Sequence, residues 1–319
     1  MQGRQYIPVK ATPLISIITL NWNQTDITCQ FLESTRNLNY KNYEILVCDI
    51  GSAVDPTPQI SRGNYPNTRV LKADAYSRSA NDISWAVAQA KGDFILLINN
   101  NTVVTENVLD DLLSPFLSDD FLGAASPKIR SFHRPSIIQY AGYKRTNIIT
   151  GRNSIIGEEK EDKGQFDKPT YTHGAYSGAM MLKKSMIEQN NDVLVQNFFI
   201  CFDDSEVSAR ILKKGYKILY QPKAVVYSKD AMITDQKSAI KVYYSTRNRI
   251  LFMRKNASAV QLFVFLTVFI FLGIPITTLK FLIKRQFTHL QSFFKAIYWN
   301  FKRMRFTWKG WPYNARHTA

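Results

Sequence analysis

Residues 14–49 read LISIITLNWNQTDITCQFLESTRNLNYKNYEILVCD. Two short apolar runs rich in β-branched residues, Leu14–Leu20 and Tyr43–Asp49, flank a stretch from about Thr25 to Asn37 whose pattern is helical. Short continuous apolar runs are what a parallel strand buried on both faces looks like. The stretch is therefore a βαβ unit. Working outward, RVLKAD (69–74) gives a third strand, and ISWAVAQAKG (83–92) a helix closed by Gly92 in the C-cap position. DFILLINNN (93–101) gives a fourth strand. This alternation predicts an α/β fold with a mainly parallel central sheet and helices on both faces. Such sheets bind ligands beyond the carboxyl ends of their strands. Thr19, Asn21, Asn23, Asp49, Asn99, Asn100 and Asn101 all fall where strands end.

Several function classes lose their support. No G-x-G-x-x-G follows the first strand and no G-x-x-x-x-G-K-[ST] occurs, which removes the dinucleotide and P-loop readings. G-x-S-x-G is absent, and the four histidines form no cluster. Cys29, Cys48 and Cys201 are far apart, without metal-ligand spacing, and fit a reducing compartment. The opening MQGRQYIPVKATP lacks the apolar core of a secretory signal, so the expectation is a cytoplasmic catalytic part. The formal charge of +16 is unevenly spread, because no Asp or Glu appears from Lys237 onward. Up to Tyr220 the two signs nearly balance, which argues against a nucleic-acid-binding core.

The basic tail is also apolar. Residues 256–279 carry no formal charge and include VQLFVFLTVFIFLGIPITTL (260–279). About 20 apolar residues cross a bilayer core as a helix, so 257–279 is long enough to span. Gly273 and Pro275 interrupt it, leaving a spanning, a re-entrant and an in-plane arrangement open beside a buried core helix. Beyond it FKAIYWNFKRMRFTWKGWPY (294–313) mixes aromatic rings with Lys and Arg, a composition suited to lipid headgroups.

An ordered series of motifs then carries a resemblance. LVCDIGS (46–52), AKGDFILLINNNTVV (90–104), YSGAMMLKKSMIE (176–188), FFICFDDSEVSARILKKGYKILYQPKAVVYS (198–228) and YYSTRNRILFMRK (243–255) follow one another in that order. Together with the opening strand and helix they resemble the family-2 glycosyltransferases, inverting enzymes of GT-A fold, in particular the rhamnosyltransferase-like branch that builds surface polysaccharides. The resemblance runs from about Pro13 to Lys255. It implies a GT-A domain at 13–236, with a nucleotide-sugar half (13–125) and an acceptor and catalytic half (126–236). Residues 1–12 would be an N-terminal extension, and 237–319 membrane-associated helices.

The resemblance also implies roles. Asp204 matches the base that takes the acceptor proton, Asp203 the acidic residue before it and Glu206 the one two positions on. Inverting transfer needs such a carboxylate and something to stabilise the leaving diphosphate. Three acids opening a helix also simply complement its dipole. Asp49 would read the nucleoside, with Thr19, Asn21 and Asn23 beside it, although D-x-G-S is ordinary turn chemistry as well. Asn81 falls near the expected diphosphate turn, where an N-cap role is equally open. Ser177, Gly178 and Ala179 would lie on the acceptor side. In 131–172, the acceptor-facing insert, His133, Tyr140 and Tyr143 are candidates for stacking on sugar.

Two departures bear on metal. The family's D-x-D position reads Asn99-Asn100-Asn101, and Ser228 stands where a histidine is usual. Magnesium and manganese prefer anionic oxygens, so the expectation at Asn101 and Ser228 is an ion bound weakly, held differently or not used. Lys229, Arg247 or Arg249 would then neutralise the diphosphate, Arg247 being the candidate carried forward and Arg249 fitting lipid headgroups better. No organic cofactor is implied. The partners implied are a nucleotide-sugar donor of UDP, dTDP or GDP type, a lipid-linked or polysaccharide acceptor, membrane lipid at the cytoplasmic face, and a partner transferase or second copy. The runner-up is a catalytically silent homologue that scaffolds an active transferase.

Overall fold

The computed structural model describes residues 12–73, 83–189, 203–229 and 238–303. The first unit is β1 (Ile15–Asn21), α1 (Thr25–Thr35) and β2 (Tyr43–Asp49), followed by α2 (Thr57–Arg62) and β3 (Thr68–Lys72). Next come α3 (Ser84–Gln89), β4 (Phe94–Ile98), β5 (Thr102–Val104) and α4 (Val108–Leu113). The second half holds β6 (Leu122–Ser131), β7 (Ile137–Tyr140), β8 (Lys160–Glu161), β9 (Thr170–Tyr171), β10 (Ala179–Lys183), α5 (Lys184–Glu188), α6 (Asp203–Lys213) and β11 (Lys217–Ser228). The tail is α7 (Ala239–Asn256), α8 (Ala259–Val268), a π-turn (Phe269–Gly273), α9 (Ile274–Ile283) and α10 (Phe287–Lys302).

The main sheet runs β3-β2-β1-β4-β10-β6-β11-β5. β1 pairs in parallel with β2 and with β4, and β2 with β3. The chain thus goes out from β1 on one side and returns on the other, creating the crevice that such sheets use for ligands. The second half is mixed: β10 is antiparallel to both β4 and β6, while β11 is parallel to β6 and antiparallel to β5. It follows that β1, β2, β3, β4, β6 and β11 all end at one edge.

Strand alternation divides the core between the two faces. Ile15, Ile17, Ile45, Val47, Leu96 and Ile98 pack with Phe31 and Leu32 of α1 and with Leu109 and Leu112 of α4. Ile18, Leu46, Cys48, Ile95 and Leu97 pack on the other face with Val87 of α3, Met186 of α5 and Ile211 of α6. Gly92 differs from its expected place, since α3 ends at Gln89 with Ala90 as its C-cap. Its N–H donates to Ser16 Oγ (2.8 Å), and a Cβ there would stand 2.6 Å from the Ser16 nitrogen. A close approach to β1, and not a cap, requires the glycine.

The insert is pinned electrostatically. Lys128 of β6 is almost fully buried and donates to Asp162 (2.9 Å) and to Asp167, and Arg130 donates to the same Asp162. Burial alone would raise the Asp162 carboxyl, but the hydrogen bonds from Lys128 and Arg130 hold it below its ordinary value.

Residues Ala259–Ile283 form one helix, the only one among the described residues long and apolar enough to cross a membrane, with a mean hydropathy of 2.5. Only 11% of its most apolar window is buried, unlike a core helix of a soluble protein. The π-turn precedes Pro275, whose ring removes a backbone donor, so the ladder is loosened where it must break.

Candidate active site

The site lies along the edge where the parallel strands end. Asn21 closes β1 and Asp49 closes β2, side by side in register. Asn21 Nδ2 donates to Asp49 Oδ1 (2.8 Å), and Ser52 donates to the same carboxylate through its N–H (3.2 Å) and its hydroxyl. Asn23 holds a left-handed φ of 54° and ties the two loops together. Its N–H donates to Ser52 Oγ (2.8 Å), and its Oδ1 accepts from the Ala53 N–H (2.7 Å).

From Asn21 a buried relay crosses to β4. Thr28 of α1 donates its hydroxyl to Asn21 Oδ1 (2.7 Å) and accepts from Asn100 Nδ2 (3.0 Å). Asn100, Thr28, Asn21, Asp49 and Ser52 therefore form one connected network. Thr28 was not among the residues singled out from the sequence. Its place three residues into a helix that begins just past β1 was the available signal. Thr19 is buried at the same strand end, and its hydroxyl has no partner among the described residues.

Asn99 and Asn101 follow directly from β4. The Asn99 N–H donates to the Gly178 carbonyl (2.9 Å), and a Cβ on Gly178 would stand 2.9 Å from Asn99 Nδ2. The Ser177–Ala179 turn is thereby seated against the asparagine run, with Ala179 opening β10. On the other side, Ser228 pairs with Thr102, and the Lys229 N–H donates to the Asn101 carbonyl (2.9 Å). The two positions singled out for metal are thus neighbours, yet they offer an amide and a hydroxyl. No group of three or more His, Cys, Asp or Glu side chains that could hold an ion occurs among the described residues. This donor set does not fit a hard divalent cation.

Beside the Asn99–Asn101 turn stands the cation Lys229. Its ammonium donates to Gln30 of α1 and sits 5.4 Å over the Phe132 ring, and burial lowers its pKa. Arg247 is differently placed: it stacks on Tyr244 and Trp299, each at 4.8 Å, and donates to Asn248 (2.8 Å), all in α7 and α10. Arg249 lies 4.9 Å over Phe269, and burial together with Arg152 pushes its guanidinium down to about 10. It is packed inward and not presented to headgroups.

Asp204 stands in the first turn of α6, which leads into β11. Because α6 runs back along the sheet before β11 returns, its N-terminus lies at the edge where β11 ends. Asp204 Oδ1 accepts from the Ser205 N–H (2.7 Å) and Oγ (3.2 Å), and Oδ2 accepts from the Tyr143 hydroxyl. Burial first, and then the Asp204 charge, raise the Tyr143 pKa well above its ordinary value, keeping the phenol a donor. Thr172 clamps Tyr143 by accepting from its N–H (2.7 Å) and donating to its carbonyl (2.8 Å).

Glu206 and two of the tyrosines have other partners in the structure. Glu206 does not share the Asp204 face, because residues two apart on a helix point apart. Its buried carboxylate accepts from Arg210 (2.9 Å) and Asn256 (2.9 Å) and pairs with Lys255 (3.5 Å), fastening α6 to the end of α7. Tyr140 and Tyr143 are not sugar platforms. Both are buried in an aromatic cluster, with Tyr140 centroids 5.4 Å from Tyr143 and 5.5 Å from Tyr176. His133 instead meets Phe132 edge-on (5.5 Å). The Asp203 side chain and Asn81 lie outside the described residues.

The model of glycosyl transferase family 2 matches residues 16–190, more than half of the chain. The chain belongs to this family. Among curated relatives, the poly-β-1,6-N-acetyl-D-glucosamine synthase of Staphylococcus aureus (strain MSSA476) is 23% identical over 221 residues, covering 67% of this chain and 49% of the relative. The Staphylococcus epidermidis synthase of the same name matches at the same identity and coverage. This family-2 chain therefore spans about half the length of the curated relatives it matches. Among solved structures, the mannosyltransferase PcManGT from Pyrobaculum calidifontis, in complex with GDP-Man and Mn2+, superposes with a TM-score of 0.52. It is 13% identical and covers 95% of this chain and 91% of that one. S. aureus TarS 1–349 gives 0.51 at 18% identity, covering 88% and 80%. These likenesses show the GT-A fold.

Proposed function

We propose that this chain transfers a sugar from a nucleoside-diphosphate donor to a glycan or lipid-linked acceptor, with inversion, in the synthesis of a surface polysaccharide or glycoconjugate at the cytoplasmic face of a membrane. The observation that carries the reading is the meeting, at one sheet edge, of the Asp204 carboxylate, the Asp49 network and the Asn99–Asn101 turn. The names of the staphylococcal relatives favour an amino-sugar polymer as the product class.

In this reading the nucleoside rests against Asp49, Asn21 and Asn23, and the acceptor enters past Ser177–Ala179. The acceptor oxygen attacks the anomeric carbon as its proton passes to Asp204. The bond from that carbon to the diphosphate breaks, and the diphosphate leaves with the electron pair. Lys229 supplies positive charge near that leaving group. Tyr143 and the Ser205 N–H donate to the carboxylate and orient it. No step is assigned to a metal, because the residues at the Asn101 and Ser228 positions do not suit one.

The test is transfer by the full chain in detergent, with calorimetric titration of UDP, dTDP and GDP, each with manganese and with EDTA. Asp204→Asn is expected to lower transfer about 10²–10⁴-fold while nucleotide binding is retained. Transfer within a few-fold of the unsubstituted chain would remove Asp204 from the role, and failure to bind any nucleotide would overturn the whole reading.

A further inference from the structure

We infer that the apolar helix Ala259–Ile283 lies in the plane of a lipid surface, half-sunk in one leaflet beside α10, and does not cross the bilayer. This rests on the reading that the tail meets lipid, and it decides how.

The depth argument begins with length. Twenty-five residues of helix measure about 37 Å, against about 30 Å of bilayer hydrocarbon. Stood upright, the helix would place Phe265 about 9 Å and Phe269 about 15 Å from its first residue along the membrane normal. Yet these two rings are buried, Phe265 against the Gly151 turn and both in a cluster with Met253 of α7 and Phe293 of α10. A Cβ added to Gly151 would stand 2.8 Å from the Phe265 ring and 2.9 Å from Met253, so the loop between β7 and β8 presses its backbone on both. Gly151 has a φ of 63° and sits in an irregular segment with Asn147, Thr150 and Arg152. Arg249 lies over Phe269. An upright helix would carry this loop and this guanidinium towards mid-bilayer. Irregular backbone facing lipid does not occur at that depth, and charge there is strongly disfavoured.

The return path agrees. Arg285, with a φ of 51°, turns the chain, and α10 runs back to α7. There Asn300 Nδ2 donates to the Arg247 carbonyl (3.0 Å) and Arg254 donates to the Asn300 carbonyl (3.3 Å). In an upright arrangement α10 would have to recross the hydrocarbon with His289, Gln291 and Lys295, in only 16 residues, about 24 Å. Lying flat, both helices keep one side on α7 and offer the other to lipid. Phe265, Phe269, Phe281 and Phe293 are turned inward, while Phe263, Phe271, Ile276, Phe287, Tyr298 and Phe301 are exposed. Lys280, Lys284, Arg285, Lys295 and Lys302 are exposed around them, and the tail has no acid to oppose anionic headgroups.

The test uses the full chain in membrane vesicles of both orientations from expressing cells, with Cys29, Cys48 and Cys201 replaced by alanine. Single cysteines are introduced as Ser258→Cys and Gln286→Cys, at the two ends of the helix, and a membrane-impermeant maleimide is applied. Both positions are expected to react equally from the same face. Reaction from opposite faces would overturn the in-plane geometry while leaving lipid association and transfer activity intact. Failure to float with vesicles of phosphatidylcholine and phosphatidylglycerol, with a doubled mass in solution, would instead assign the apolar side to a second copy and sink the lipid reading too. Nucleotide binding by each variant reports that the domain is folded.

Discussion

Thr28→Val tests whether the buried relay holds the two halves of the nucleotide site in place. The side chain is fully buried, and valine keeps its shape, so no cavity is opened. What is lost is one hydroxyl that donates to Asn21 and accepts from Asn100. The substitution leaves an acceptor on Asn21 and a donor on Asn100 without their partner. Each buried polar atom left unpaired costs about 1–3 kcal/mol, so the expected destabilisation for the two is about 2–6 kcal/mol. Urea unfolding of the protein in detergent, followed by tryptophan fluorescence, measures it. Thr28→Ser retains the hydroxyl and loses only a methyl, for about 1 kcal/mol. Asn21 also steadies Asp49, so nucleotide affinity is expected to fall in the valine variant and not in the serine variant. If the valine variant loses less stability than the serine one, the relay is not what holds these loops.

Three further expectations concern separate parts of the molecule. Tyr143→Phe removes a donor that orients the Asp204 carboxylate, so the transfer rate is expected to fall with nucleotide binding retained, by less than in Asp204→Asn; an unchanged rate would refute the positioning role. Asp162→Asn deprives the buried Lys128 of a charged partner and is expected to cost about 3 kcal/mol. Since the Asp162 carboxyl is held low in the fold, its stabilisation is complete above an unfolded value of about 4 and fades as pH falls below it, so the variant's stability should be flatter in acid. Asn101→Asp places an anionic oxygen beside Ser228 and is expected to make nucleotide binding more dependent on manganese; equal titrations with manganese and EDTA would count against the position.

The first half of the fold was legible because its strands are short, β-branched and buried on both sides. The runs Leu14–Leu20, Tyr43–Asp49 and the one ending at Ile98 have no competing helical pattern. Gly92 was misread because a glycine past a helix usually caps it, and only the sheet reveals the Ser16 backbone pressed against it. Glu206 looked like a partner of Asp204 by nearness in sequence, whereas helical geometry turns it towards Lys255. Tyr140 and Tyr143 sat in an aperiodic segment and read as surface loop. Burial there comes from contacts distant in sequence, such as the Tyr140 hydroxyl donating to Gly174 (2.8 Å), which leave no local pattern. The tail's apolar length was plain, but its direction depends on Gly151, far away in the chain.

The seat of Phe265 against Gly151 has a practical consequence for anyone wishing to trim the chain. Cutting after Asn256 to obtain a more tractable protein would uncover Met253 and the Gly151 turn together, since Phe265 covers both. That turn neighbours Asn153, which donates to Ser205 (2.6 Å), the residue following Asp204. A shortened version would therefore loosen the scaffold under its own proton acceptor, and low turnover by such a fragment would report on the cut and not on the enzyme.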